Sequence, residues 1–176
     1  QAVEWYRKAA EQEYADAQFE LGDCYYFGDG VKEDDVQAVK WFQKAAEQEH
    51  ASAQYRLGCC YYFGEGVEKD NAQAIEWFRK AAEQEHSDAQ YRVGCCYYFG
   101  NGVEEDNEQA VKWFLKAATQ THAAAMYRLG DCYYYGYGVE EDKQQAVAWY
   151  LKAADLGYAD AQCEMGNCYN FGIVVK

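Results

Sequence analysis

The sequence has no proline, few basic residues and no long run of apolar residues. Half of its 176 residues are apolar. Even so, no stretch approaches the roughly 18 consecutive apolar residues of a membrane-spanning helix. Lys and Arg number 16 against 30 Asp and Glu, which gives a formal net charge of −14. Because nucleic acids and anionic membrane surfaces bind basic footprints, the composition argues against both partners and against membrane insertion.

What the sequence has instead is a repeat of 36 residues with one tryptophan in each copy. The tryptophans are Trp5, Trp41, Trp77, Trp113 and Trp149. Self-similarity at a fixed period of this length is typical of solenoid proteins, in which similar units stack on one another. Such a stack has no evident place for a single catalytic pocket, but it presents a long repeated surface. We interpret Trp41, Trp77 and Trp113 as packing residues.

The sequence pattern of each repeat predicts two helices, here termed A and B. Helix A, for example Asp88–Phe99, and helix B, for example Gln73–Glu83, each carry an apolar stripe at helical spacing. A Gly-x-Gly pair after helix A predicts a left-handed C-cap. We expect one B helix, four A–B pairs and a last A helix at about Asp160–Phe171, after which Val174 replaces the second glycine.

An Asp-x-x-Gln spacing precedes each internal B helix and predicts a capping box. In this motif the aspartate accepts from the third helical amide, and the glutamine reaches back to the amide of the aspartate. The pairs are Asp34/Gln37, Asp70/Gln73, Asp106/Gln109 and Asp142/Gln145. Gln1 occupies the glutamine position of this box. We therefore expect the sequence to be a piece of a longer array, and we do not assign a compartment from its termini.

The order of these motifs resembles the Sel-one-like repeat (SLR) family, which is related to tetratricopeptide repeats. The blocks LG-x-x-Y, G-x-G-V, D-x-x-x-A and W-[FY]-x-K-A-A recur in order along essentially the whole chain, as in AQYRLGCCYYFGEGVEKDNAQAIEWFRKAAEQ. The resemblance implies an all-α fold, an α/α superhelical solenoid of 36-residue helix-turn-helix repeats with helix A on the concave wall. It also implies an adaptor or scaffold in signalling, protein quality control or bacterial host interaction.

On this pattern we expect one solenoid domain over residues 1–176. Its repeats would cover about 16–51, 52–87, 88–123 and 124–159, with partial repeats at 1–15 and 160–176. The chain departs from the family at one turn, where glycine usually follows A-A-E-Q. The residues at that turn are Glu13, Glu49, Glu85 and Thr121. Only Gly157 matches the family, if a shift of one residue is allowed.

Seven of the eight cysteines fall into two classes, and Cys163, which replaces an aromatic residue of other repeats, belongs to neither. Five share a position on the core face of helix A: Cys24, Cys60, Cys96, Cys132 and Cys168. Stacked helices lie about 8–10 Å apart, whereas a disulfide needs Cα atoms within roughly 7 Å, so we interpret these as buried thiols. Cys59 and Cys95 share a position with Asp23, Asp131 and Asn167. That position should face solvent, and exposed thiols slightly favour a reducing compartment.

Residues that bind metals or carry out catalysis are present, but their spacing suits neither task. The turn residues His50, His86 and His122 precede the cysteine of the next helix A by about two helical turns, too far for a Cys–His pair. Adjacent cysteines point about 100° apart on a helix, and a zinc site needs about four converging ligands. We therefore expect no enzyme activity, no metal and no cofactor.

A second stripe on helix A carries tyrosine and arginine. Offsets of 0, +4 and +7 place a Tyr, a Cys or Asp, and another Tyr on one side, with Arg on its flank. The residues are Tyr55, Arg56, Cys59, Tyr62, Tyr91, Arg92, Cys95, Tyr98, Tyr127, Arg128, Asp131 and Tyr134. The matching positions of tetratricopeptide repeats face the concave groove. Since Tyr and Arg are frequent in hot spots, we predict a groove for a protein or peptide, and its arginines suit anionic groups.

Alternatives to this interpretation remain open. The tyrosines could only pack between repeats, while the arginines pair with carboxylates of the chain itself. The array could instead be a structural element that self-associates end to end through uncapped ends. A hydrolase activity, sometimes ascribed to cysteine-rich relatives, has no supporting set of residues here.

Overall fold

The structure, a computed structural model, describes residues 1–173, and every regular element in that range is an α-helix. The helices are α1 (Ala2–Ala10), α2 (Ala15–Phe27), α3 (Asp35–Glu47), α4 (Ala51–Phe63), α5 (Asn71–Glu83), α6 (Ser87–Phe99), α7 (Asn107–Thr119), α8 (Ala123–Tyr135), α9 (Lys143–Asp155) and α10 (Ala159–Asn170). The even-numbered helices are the A helices and the odd-numbered ones are the B helices. The predicted all-α helix-turn-helix fold is therefore confirmed, while Val174 lies outside the described residues.

The helices belong to two compact units, Gln1–Ala89 and Gln90–Lys176, and α6 begins in the first unit and continues in the second. In the first unit α2 packs on α3 and α4 packs on α5. In the second unit α8 packs on α9, which also contacts α10. Each unit is described separately below, and the single domain expected over residues 1–176 stays a prediction.

Within a repeat, helices A and B meet where a buried aromatic ring rests on a glycine. The pairs are Gly22/Phe42, Gly58/Phe78, Gly94/Phe114 and Gly130/Tyr150. Phe78 is completely buried. A Cβ atom added to Gly58 would lie 2.6 Å from two carbons of the Phe78 ring. The motif LG-x-x-Y therefore carries glycine because the ring occupies the space that a side chain would need.

The repeated tryptophan packs against a core shared by the A helix of its own repeat and the B helix of the preceding repeat. Trp41 contacts the core that contains Val3 and Leu21, and Trp77 contacts the core that contains Phe42 and Leu57. The Nζ of Lys80 lies 3.9 Å from the Trp77 ring centroid, which is a cation–π contact. These contacts confirm the packing role predicted for Trp41 and Trp77.

Both glycines of the Gly-x-Gly motif have left-handed backbone conformations. Gly64 is the C-cap of α4 with a φ of 80°, as predicted. Gly66 has a φ of 71°. A Cβ atom on Gly66 would lie 2.3 Å from the carbonyl oxygen of Asp35. The second glycine therefore also lets the loop approach the first turn of α3, in the preceding repeat.

The predicted capping box is half right. Asp34 accepts a hydrogen bond from the amide of Gln37 at 3.0 Å, as expected. The amide of Asp34 donates to the carbonyl oxygen of Tyr25 at 2.9 Å, so the expected role of the Gln37 side chain is wrong. The carbonyl of helix A reaches this amide first, because the loop folds back on that helix. The cap therefore connects helix B to the helix A before it.

The turn between helices B and A places a residue other than glycine in the left-handed region in most repeats. Glu49 has a φ of 63° and Glu85 a φ of 64°, and Gly157 takes the equivalent position with a φ of 83°. Gly157 lies in the same register as these residues, so the one-residue shift allowed for in the sequence is not needed. An L-residue in this region costs roughly 1–2 kcal/mol.

The contact between the Phe78 ring and Gly58 predicts that a methyl group added to the glycine has a large effect on stability. Gly58→Ala should lower the free energy of unfolding by about 1–3 kcal/mol, because the added Cβ overpacks the Phe78 ring. Gly166 occupies the equivalent position in α10 and has no atom within 4 Å of an added Cβ. Gly166→Ala should therefore raise stability by roughly 0.5–1 kcal/mol. Urea titration of both variants checks the contrast, and equal effects would contradict the packing described.

The left-handed backbone at these turns predicts that replacing the residue there with glycine stabilises the fold. Glu49→Gly should raise the free energy of unfolding by about 1 kcal/mol, because relief of strain exceeds the entropy that glycine adds to the unfolded chain. Gly157→Ala introduces the same strain and should lower stability by about 1 kcal/mol. Thermal unfolding followed by circular dichroism measures both. If the melting temperatures of the two variants shift in the same direction, this explanation is ruled out.

Candidate functional site

The histidines cap the N-termini of A helices and are not only turn residues. His50 is the N-cap of α4, and its Nδ1 accepts from the amide of Ala53 at 3.1 Å. Its ring also stacks on Phe19 of α2, with centroids 4.9 Å apart. The interpretation as turn residues near the C-terminus of helix B missed both contacts. Each histidine thus joins the start of one A helix to a ring of the preceding A helix.

The first tyrosine of the predicted stripe is held by these histidines. Tyr55 stacks on His86 at 4.8 Å, and Tyr91 stacks on His122 at 4.8 Å. Tyr127 instead packs on Tyr158 at 5.4 Å. All three tyrosines remain half-buried. They are fixed from one side by an aromatic partner and keep part of their surface accessible.

In the first unit, Arg56 crosses to the preceding A helix. Its guanidinium carbon lies 5.7 Å from the Tyr26 ring centroid and 5.1 Å from that of Phe27. Its Nε lies 3.4 Å from Oδ1 of Asp23, an ion pair. Burial raises the pKa of Asp23, and the charge of Arg56 opposes this shift. The alternative of pairing with carboxylates of the chain therefore holds for Arg56.

In the second unit, Arg128 and Asp131 form a hydrogen bond on α8. The Nη1 of Arg128 lies 3.1 Å from Oδ2 of Asp131, and the Tyr150 hydroxyl donates to Oδ1 of the same carboxylate at 2.9 Å. Asp131 is only 8% exposed. The expectation that its position faces solvent is therefore wrong for Asp131, because these two side chains enclose it. Cys59 and Cys95 at the same position are half-buried.

The second tyrosine of the stripe lies beside an exposed aromatic residue that the sequence reasoning missed. Tyr62 packs edge-to-face with Phe63 at 5.0 Å, and Tyr98 packs in the same way with Phe99 at 4.8 Å. Phe63 is 52% exposed and Phe99 53% exposed. The position is aromatic in every internal repeat, directly before Gly-x-Gly. That periodicity was the signal that could have identified it.

Within each unit, these residues form a surface that we term the A-helix face of that unit. In the first unit it consists of the stripe residues and the terminal aromatics of α2 and α4; in the second unit it consists of those of α6 and α8. Its members are Tyr26, Phe27, Tyr55, Arg56, Cys59, Tyr62, Phe63, Tyr91, Arg92, Cys95, Tyr98, Phe99, Tyr127, Arg128, Asp131, Tyr134 and Tyr135.

The core cysteines are buried as predicted. Burial raises the pKa of the Cys60 and Cys132 thiols to about 12, so both stay protonated at neutral pH. Within residues 1–173, no three side chains of His, Cys, Asp or Glu converge where they could hold a metal ion. Over the same residues, no helix combines the length and apolar character needed to cross a membrane.

The buried histidine predicts a pH dependence of stability. Burial lowers the pKa of His86 below its usual 6.5, and Asp88 opposes this shift. The folded chain therefore binds this proton less readily than the unfolded chain. Stability contributed by neutral His86 is complete above about pH 6.5 and is lost as the pH falls below it.

The comparison variant is His86→Asn, which keeps a capping side chain but does not titrate. Between pH 7.5 and 5.5, the original chain should lose more stability in urea titrations than the variant does. All other titrating groups are common to the two chains, so parallel pH profiles would contradict the assignment.

Comparisons with known proteins agree with this geometry. The model of the Sel1 repeat matches residues 1–14, 15–50, 51–86, 87–122, 123–158 and 159–176. A search of curated protein sequences finds no match.

Solved structures show the same fold. A protective antigen of uropathogenic Escherichia coli strains, which displays an SLR fold, is 40% identical with a TM-score of 0.95. The alignment covers 98% of this chain and 37% of that protein, so the chain spans little more than a third of its length. A Sel1 repeat protein from Oxalobacter formigenes is 37% identical with a TM-score of 0.91, over 99% of this chain and 70% of that one.

A more distant match is cysteine rich protein B of Helicobacter pylori, which is 26% identical with a TM-score of 0.57. That alignment covers 76% of this chain and 96% of the Helicobacter protein. The chain therefore belongs to the Sel1 repeat family, whose α/α solenoid is typically a scaffold for protein interactions.

Proposed function

We propose that the chain is a non-catalytic scaffold whose A-helix face binds a segment of a partner protein. The observation that carries this proposal is the exposed aromatic ring at the end of the A helices within each unit. Phe63 and Phe99 are about half exposed in the described structure. Large aromatic residues that remain accessible at equivalent places in successive repeats are typical of interaction surfaces.

The A-helix face is also ordered before any partner binds. Tyr62 packs against Phe63 and lies 6.4 Å from the buried Phe78 ring, and Tyr55 stacks on His86. Side chains that are already fixed lose little rotamer entropy on binding, so more of the contact energy contributes to affinity. This supports recognition by a rigid surface.

The aromatic residues support the proposal more than the arginines do. Arg56 pairs with Asp23 and Arg128 with Asp131. An anionic group of a partner would have to compete with these carboxylates. We therefore propose that apolar and aromatic side chains of the partner contribute most of the affinity, and that anionic groups contribute less than the sequence pattern suggested.

End-to-end self-association stays a prediction, since none of the contacts described above bears on it. The buried, protonated core thiols and the paired carboxylates support the proposal that the role is not enzymatic.

Peptide selection tests the binding proposal. Peptides selected from a random phage-displayed library on the immobilised chain would be synthesised, and their Kd values measured by calorimetry. The double substitution Arg92→Ala and Tyr98→Ala should weaken binding by about 30-fold or more, since truncation of one hot-spot residue, here Tyr98, costs about 2 kcal/mol and Arg92 contributes less. Phe99→Ala, which removes a half-exposed ring, should weaken binding without unfolding the chain.

The matched control is Lys112→Ala, because Lys112 is exposed on the B helix α7. This variant should bind the same peptides with unchanged affinity. Peptides that bind the Phe99 and Tyr98 variants as tightly as the original chain would rule out the A-helix face as the binding surface. Circular dichroism of each variant separates a lost contact from a lost fold.

A further inference from the structure

The contacts of Arg56 in the first unit show how the A-helix face holds a cation. In the first unit, the guanidinium of Arg56 on α4 lies over Tyr26 and Phe27 of α2 and pairs with Asp23 of the same helix. The receiving helix thus offers two adjacent aromatic rings and one carboxylate. The arginine comes from the following A helix.

In the second unit, α8 offers the same receiving groups to α10. Tyr134 and Tyr135 occupy the repeat positions of Tyr26 and Phe27, and Asp131 occupies that of Asp23. The residue of α10 at the position of Arg56 is Glu164. The two aromatic rings are therefore retained on α8, whereas Asp131 already pairs with Arg128 of the same helix. The arginine of the internal repeats is replaced by an acid in α10.

A cavity of about 140 Å³ lies at this place. Its lining includes the rings of Tyr134, Tyr135, Tyr150 and Phe171 together with the carboxylate of Glu164. The hydroxyl of Tyr150 donates to Asp131 at 2.9 Å, and Asp131 is not part of the lining. The cavity thus combines aromatic rings with the carboxylate of Glu164, a combination similar to the one that holds Arg56 in the first unit.

The carboxylate of Glu164 lines the cavity and favours a cation there. Burial raises the pKa of Asp131, and its hydrogen bonds with Tyr150 and Arg128 oppose this shift, so Asp131 already has its partners. Among the described residues, Glu164 accepts a long hydrogen bond of 3.3 Å from the side-chain amide of Asn167. Lys143 lies 5.5 Å from the Tyr134 ring centroid, but its ion pair at 3.5 Å is with Glu141 and not with Glu164.

We propose that this cavity binds the arginine side chain of a partner protein, which supplies in trans the guanidinium that α10 lacks. The planar guanidinium stacks on the tyrosine rings, and its N–H groups donate to Glu164. An arginine fits better than a lysine, because a planar guanidinium can stack on aromatic rings, and the guanidinium of Arg56 lies over two rings in the first unit. The inference deepens the proposed function by naming the chemistry of one partner residue.

The test needs no partner protein. N-acetyl-L-arginine amide is titrated into the isotopically labelled chain, and the NMR shifts of residues in α8 and α10 are followed. We expect saturable shifts around Tyr135 and Glu164. N-acetyl-citrulline amide, which has the same shape without the charge, should bind at least tenfold more weakly. Equal affinities of the two probes, or the absence of saturable shifts with the arginine probe, would overturn the proposal.

Two variants sharpen the result. Glu164→Arg restores the residue of the internal repeats and should abolish arginine binding, because the chain then supplies its own guanidinium. Glu140→Arg makes the same charge change at an exposed residue outside the cavity and should leave the affinity within twofold. If both variants lose binding equally, net charge explains the effect and the cavity does not. Because the peptide selection uses other residues and another probe, a failure of either proposal can be recognised separately.

Discussion

The structure depends on the contact between a buried aromatic ring of helix B and a glycine of helix A. Phe78 fills the side-chain space of Gly58, and the same pair recurs in each complete repeat. This contact sets how closely the two helices approach, and the tryptophan, the histidine caps and the loop glycines then join one repeat to its neighbour. A bulkier residue than glycine would move helix A away from the ring and from its partners on both sides.

The same ring also supports the A-helix face. Phe78 lies 5.9 Å from Tyr55 and 6.4 Å from Tyr62 between ring centroids. Both tyrosines that were predicted as binding residues therefore rest on the core ring, and their accessible surfaces are held in fixed positions. The two roles proposed for the stripe are therefore compatible, because a tyrosine can pack between repeats and still present an edge to a partner.

Periodicity predicted the helices, the left-handed glycines and the buried thiols, because each of these needs only local spacing. It could not predict contacts between helices far apart in the sequence. The stacking of His86 on Tyr55, the enclosure of Asp131 by Tyr150 and the crossing of Arg56 to Asp23 all join different helices. The exposed Phe63 was missed for another reason: an aromatic residue beside core positions looks like core in sequence, and only the structure shows its exposed ring.

The central claim is that the A-helix face is a preformed binding surface built on these core rings. A crystal structure of the chain with a selected peptide tests it most directly. Our account predicts that the peptide contacts Tyr98 and Phe99, that Tyr98 keeps its position against Phe114, and that Phe99 keeps its position against Tyr98. A peptide bound on the B helices beside Trp113, or a Tyr98 ring displaced from Phe114 in the complex, would contradict it.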